Sequence, residues 1–337
     1  SGFREHEFTQ RLQAVVQVLG KGTGLMALVV SALLVINGQI TTGVLLATTI
    51  LIWRLIGPLE NLFLAATSIA RIKENVRQID NLMRMPGEKD RGVRQTIRPE
   101  THGGLELARV SFRYANDADP ALLGVSFRAE PKEMVALTGP DGAGKSTLLK
   151  LLMRVYTPQA GTLRQDRIDI RQITTTDLRA RISYMPQNCE LFYGTVAQNL
   201  RLVHPDASDE EVRWATEMAG LLTDVEALPE GFRTRISNSR ADELPRGFRQ
   251  RLSLARTILK PATLVLMDEP GTGMDQAGEV ALMRCIQWLR GRATLIVVSL
   301  RPGHLRLADK VVYMERGRIT AMGPFTQIAE KVMAGLR

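Results

Sequence analysis

Residues 134–152 read MVALTGPDGAGKSTLLKLL. The first five form a continuous apolar run, the signature of a strand buried on both faces. They lead directly into Gly139-Pro140-Asp141-Gly142-Ala143-Gly144-Lys145-Ser146-Thr147, and an apolar helical pattern follows. The stretch fits G-x-x-x-x-G-K-[ST] in the strand–loop–helix setting the motif needs. The residue types follow from the chemistry. Glycines let backbone N–H groups curl around phosphate oxygens, and the helix start adds the positive end of its dipole. Lys145 is placed to reach the outer phosphates, and Ser146 to offer its hydroxyl to Mg²⁺.

A second buried strand ends "LVLMDEP" at 264–270. Asp268 is placed to hold the metal, and Glu269 to polarise an attacking water. An acidic pair after a strand is otherwise a helix N-cap; the phosphate loop upstream favours the catalytic reading.

Further toward the N-terminus the composition changes. "TGLMALVVSALLVI" (23–36) carries no charge, and "VLLATTILIWRLIGPLENLFLAA" (44–66) carries few. A bilayer core needs about 20 predominantly apolar residues per helix. The runs predict an all-α transmembrane hairpin within 1–85, with helices at about 12–37 and 43–65 turning at Asn37–Gly38, in contact with membrane lipid. The turn has no Lys or Arg, while the sequence beyond both helices does, which puts both ends in the cytoplasm. Arg54, deep in the second run, either lines a translocation path or pairs structurally with another helix. The charge-rich first ten residues do not read as a secretory leader. Residues 86–103, "PGEKDRGVRQTIRPETHG", read as a linker, and a second domain follows over 104–337.

The chain of 337 residues has a formal net charge of +9. Such a balance suits nucleic acid or an anionic membrane. Aromatic residues make up only 5% and interleave with no basic patch, so nucleic acid is not expected. Cys189 and Cys285 lack metal spacing and read as reduced thiols.

These motifs together resemble the ATP-binding cassette exporters. The resemblance implies an α/β P-loop cassette with an antiparallel β subdomain and a helical subdomain at about 190–260. Tyr114, in "SFRY", matches the aromatic that stacks on adenine. Gln187 matches the glutamine that senses Mg²⁺ and signals to the membrane domain, giving it a catalytic and a metal-binding role beside Ser146 and Asp268. "PGTGMD" (270–275) matches the loop that crosses the dimer interface. The hairpin looks like the last two helices of an exporter half, and its "GPLENL" is most similar to type I protein-secretion exporters. That likeness implies an inner-membrane location with the cassette on the cytoplasmic side, a second cassette subunit, an adaptor protein and an outer-membrane channel. Earlier membrane helices are not in the chain; either they lie on another chain or this one is a fragment.

Two stretches depart from the family pattern. Where it has L-S-G-G-Q, this chain has Leu244-Pro245-Arg246-Gly247-Phe248. Proline removes a hydroxyl and an N–H, while Arg246, beside Gly247, brings a guanidinium suited to phosphate. Where the family has a histidine on the γ-phosphate, this chain has Leu300, and His304 is expected to be an exposed loop residue. The sequence therefore predicts ATP and Mg²⁺ binding with slowed turnover. The rival reading is a weak or inactive nucleotide-binding subunit that regulates or supports assembly.

Overall fold

The computed structural model describes residues 21–84, 101–115, 119–236 and 244–335. The chain divides into two units, Ser1–Lys89 and Asp90–Arg337.

In the first unit residues 21–36 are helical, and a second helix spans Thr42–Arg84 for 43 residues. The expected transmembrane hairpin is overturned: among the described residues no helix is long and apolar enough to cross a membrane. Hydropathy marks apolar runs but not where a helix ends. The described part of the first helix, 21–36, falls short of the roughly 20 apolar residues a span requires; positions 12–20 lie outside the described residues. The second helix does not stop near 65. It continues past Pro58 into "ARIKENVRQIDNLMR", where charge recurs every few residues. Arg54 is exposed on it. Most of the expected linker, 86–100, lies outside the described residues.

The second unit is an α/β P-loop fold. Its strands are β1 (Leu105–Phe112), β2 (Leu122–Ala129), β3 (Met134–Thr138), β4 (Ala160–Gln165), β5 (Ile168–Asp169), β6 (Ile182–Met185), β7 (Gly194–Thr195), β8 (Arg235–Ile236), β9 (Leu264–Asp268), β10 (Thr294–Val298), β11 (Lys310–Glu315) and β12 (Arg318–Gly323). A six-stranded sheet has the order β12-β11-β3-β10-β9-β6, parallel except for β12. A separate antiparallel sheet has the order β2-β1-β4-β5.

The parallel strands bury both faces, which is why they read as unbroken apolar runs. Met134 and Ala136 of β3 join one core with Val265, Met267, Leu295 and Val297. The alternate residues Val135 and Leu137 join the other core with Leu264, Leu266, Ile296 and Val298. The first core extends into the helical part, whose helices include Val196–Arg201, Asp209–Met218 and Arg246–Leu259. Capping boxes at Thr195/Gln198 and Ser208/Glu211 start the first two.

Register positions the site. Val298 pairs with Leu137 on one side and with Asp268 on the other. The carboxyl ends of β3, β9 and β10 therefore finish level, and the chain leaves them at Gly139, Glu269 and Ser299. Connections diverge there, and an open α/β sheet forms its ligand crevice at such a point.

Candidate functional site

The phosphate loop is shaped by what it must avoid. Gly139 has φ +139°, and a Cβ there would lie 1.9 Å from the Met314 carbonyl oxygen. No other residue type fits. The loop opens the helix Lys145–Leu152. Asp141 and Gly142 are exposed at its tip, Ala143 is buried and Gly144 precedes the helix in left-handed backbone. The Lys145 ammonium is 6% exposed and donates to the carbonyls of Gly139 (2.7 Å) and Pro140 (2.9 Å). Burial lowers its pKa, against the opposing pull of Asp141, Glu269 and Asp268. It is thus a desolvated cation pointed into the loop, where contact with anionic oxygen would be strongest.

Ser146 Oγ donates to Asp268 Oδ1 at 3.1 Å. Asp268 is buried, and desolvation raises its pKa although the Ser146 hydrogen bond and Lys145 favour the charged form. Next to it, Glu269 stands at φ +46°, a left-handed conformation uncommon for a side-chain-bearing residue. Its Oε2 accepts from Gln187 Nε2 (2.9 Å) and Thr272 Oγ1 (3.3 Å). The structure therefore brings Lys145, Ser146, Gln187, Asp268 and Glu269 to one strand-end crevice. Ser146, Asp268 and the amide of Gln187 offer hard oxygen donors, a set that fits a small divalent cation sharing its shell with phosphates. Among the described residues no group of three or more His, Cys, Asp or Glu side chains forms a self-contained metal cage.

Tyr114 is half-exposed, and its hydroxyl shares a 3.0 Å hydrogen bond with Thr147 Oγ1. Its ring stands edge-on to Phe112 and Tyr156 at 5.0 and 5.2 Å. That contact sets an aromatic face beside the helix following the loop.

Arg246 and Gly247 lie off the phosphate loop. They open the helix Arg246–Leu259 after Pro245, which supplies no side-chain cap. Arg246 is exposed and lines a cavity of about 290 Å³ with Gln187, Thr272 and Gly273, and no phosphate-loop residue lines it. Phe248, where the family pattern has glutamine, is 5% exposed and belongs to the core. It serves packing.

His304 corrects the expectation of an exposed loop residue. It is 1% exposed on the short helix Pro302–Leu307. Proline is preorganised for the first position of a helix, so the chain turns inward immediately after Arg301. Nδ1 of His304 meets Ser299 Oγ, and Nε2 meets Glu279 Oε1, both at 2.8 Å. Burial lowers its pKa, opposed by Glu279. The contact of Thr272, inside the 270–275 loop, with Glu269 was not read from sequence, and Glu279 had no local signal because its partners lie far along the chain.

Residues 122–272 match the family described as ABC transporter. The chain is 33% identical over 295 residues to an ATP-dependent lipid A-core flippase of Chromobacterium violaceum, covering 88% of this chain and 50% of that protein. It is 36% identical over 221 residues to human ATP-binding cassette sub-family B member 6, covering 66% of this chain and 26% of that protein. It is also similar to a solved bacterial Atm1-family ABC exporter with ATP bound: TM-score 0.74, 25% identity, 98% of this chain and 57% of that one. The chain spans about half or less of the length of these curated relatives. The family match falls wholly within the second unit. It overturns the reading of the chain as the membrane-anchored end of a type I secretion exporter half: what is identified is the nucleotide-binding domain, and among the described residues no helix is long and apolar enough to cross a membrane.

Proposed function

The chain belongs to the ABC transporter family and carries its ATP-binding and ATP-hydrolysing domain, and from this premise we propose that it drives an exporter at the cytoplasmic side of the inner membrane. The membrane domain it serves would transmit the cassette's closure to the cargo. The adaptor and outer-membrane channel tied to the type I likeness are dropped with that likeness.

One observation carries the reading: Glu269 is held by Gln187 and Thr272 beside the Ser146–Asp268 pair, at the mouth of the loop that holds Lys145. In the proposed chemistry, Lys145 and the loop amides bind the outer phosphates of ATP, and Tyr114 stacks on the base. Ser146, Gln187 and Asp268 would hold Mg²⁺, which when bound neutralises charge on the phosphates. Glu269 accepts a proton from water as the water oxygen bonds to the γ-phosphorus. The bond from that phosphorus to the β–γ bridging oxygen breaks, and ADP and phosphate leave. Two cassettes would meet head to tail, with Arg246 and Gly247 of one facing the nucleotide of the other.

A second reading is favoured by Pro245, which removes a hydroxyl and an N–H, by Arg246, which puts a bulky side chain where the family pattern has glycine, and by Leu300, which removes an imidazole. It is a cassette that binds ATP and turns it over slowly or not at all, in an assembly or regulatory role. Steady-state ATPase measurement, with Glu269→Gln as the control, separates the two. Turnover that Glu269→Gln removes supports the first, and ATP binding without such turnover supports the second.

A further inference from the structure

We propose that Arg301 is a positioning residue for the Glu269 carboxylate, acting through the Gly271–Thr272 peptide and held in place by Glu279 and His304. The proposal rests on the reading of Glu269 as the proton acceptor.

The geometry is a closed ring of hydrogen bonds with one arm pointing out. The Arg301 backbone N–H donates to Ser299 Oγ at 3.1 Å. Ser299 Oγ meets His304 Nδ1, and His304 Nε2 meets Glu279 Oε1, each at 2.8 Å. The other oxygen of Glu279 is ion-paired with Nη1 of Arg301, which closes the ring on the residue where it began. The ring fixes the plane of the guanidinium. Its remaining arm, Nη2, donates to the carbonyl of Gly271 at 2.7 Å.

That carbonyl belongs to the peptide preceding Thr272. Thr272 in turn closes the turn on Glu269: its N–H donates to the Glu269 carbonyl at 3.0 Å, and its hydroxyl to the Glu269 carboxylate at 3.3 Å. Glu269 itself is in left-handed backbone at φ +46°. Such a conformation persists only where its surroundings over-determine it, and the Arg301 arm is a tie on the far side of that turn. Gly271 shows that the fit is close. A Cβ there would lie 2.9 Å from Arg301 Cζ and 2.8 Å from Glu279 Oε2, so the bare backbone is what admits the guanidinium. The ring occupies the ground just after β10 where position 300 offers only an apolar side chain.

The test uses the full chain and measures kcat, KM and affinity for a non-hydrolysable ATP analogue. Arg301→Ala should lower kcat on the order of 10- to 100-fold, the scale of a small misplacement of a reacting group, with KM and analogue affinity within about 2-fold. Arg301→Lys should recover part of kcat, because an ammonium can still meet one carbonyl. Gly271→Ala should reproduce the loss with Arg301 intact. In a Glu269→Gln background Arg301→Ala should add less than about 2-fold, because a residue acting through Glu269 has nothing left to position. If Glu269→Gln loses turnover while Arg301→Ala and Gly271→Ala keep it, the proposal is overturned and the reading of Glu269 stands. A loss carried by KM, or a full further loss in the Glu269→Gln background, overturns it equally. Should Arg301→Ala not fold, Arg301→Lys and Gly271→Ala decide. If Glu269→Gln itself keeps wild-type turnover, the reading of Glu269 fails first and takes the proposal with it.

Discussion

Glu269→Gln is the sharpest perturbation because the structure says what it leaves intact. Both donors to the side chain, Gln187 Nε2 at 2.9 Å and Thr272 Oγ1 at 3.3 Å, meet the same oxygen, Oε2. A glutamine can turn its carbonyl oxygen to that position and keep both bonds, with the new NH₂ on the other side. The bonds lose their charge assistance, which roughly halves their strength. At this half-exposed position that should cost no more than about 1 kcal/mol of stability. Chemistry should suffer far more. An amide cannot take a proton from water, and a positioned general base contributes about 10²- to 10⁴-fold, or about 3–5 kcal/mol of barrier at 1.36 kcal/mol per tenfold. Steady-state phosphate release should therefore fall by at least about 100-fold, while an ATP-analogue titration changes by less than about 3-fold. Size-exclusion chromatography with ATP should show more dimer than wild type, since in the proposed cycle hydrolysis is what reopens the closed dimer. A fall of less than about 10-fold, or no gain in dimer, would refute the role given to Glu269 and favour the non-catalytic reading.

Three further outcomes follow from the same geometry. Lys145→Ala should weaken ATP-analogue binding by at least about 10- to 100-fold, the worth of a charge-assisted contact of about 1.5–3 kcal/mol; unchanged affinity by titration would remove the phosphate-loop reading. Asp268→Asn should leave the melting temperature of the nucleotide-free protein at pH 7 unchanged or raised, while Mg²⁺-dependent binding is lost. Burial raises the Asp268 pKa, so its stabilising contribution is full below the unfolded-state value and is lost as pH rises through the folded one; the variant should thus gain on wild type as pH rises, and melting curves across pH check the sign. Replacing Pro245 and Arg246 by Ser and Gly, leaving buried Phe248 in place, should raise turnover together with Leu300→His more than additively in a homodimer, where both lesions share every site, and separately in a heterodimer with an intact partner. ATPase rates of the two repairs and their combination, if all equal to wild type, would show that these positions do not limit turnover.

What could be read from sequence divides along a physical line. The strands β3 and β9 were legible because a doubly buried parallel strand has to be an apolar run, and the phosphate loop because its glycines are forced by backbone approach. The place of Asp268 and Glu269 at a strand end was legible because they close such a run. The long helix Thr42–Arg84 was misread because hydropathy reports where apolar residues cluster, whereas a helix ends only where something stops it. Nothing stops this one at 65, and Pro58 lies inside it. His304 was misread for the opposite reason. Pro302-Gly303 looked like a turn, yet a proline after Arg301 is also a helix start, and the partner that draws the imidazole inward, Glu279, sits 25 residues upstream on another element. Phe248 shows the same limit. It stands where the family pattern has glutamine, and in the fold it belongs to the core, so only Pro245 and Arg246 alter the surface of that helix start. The departure from the family pattern is therefore two things, a packing residue and a changed polar face. The repair experiment separates them because it alters the face alone.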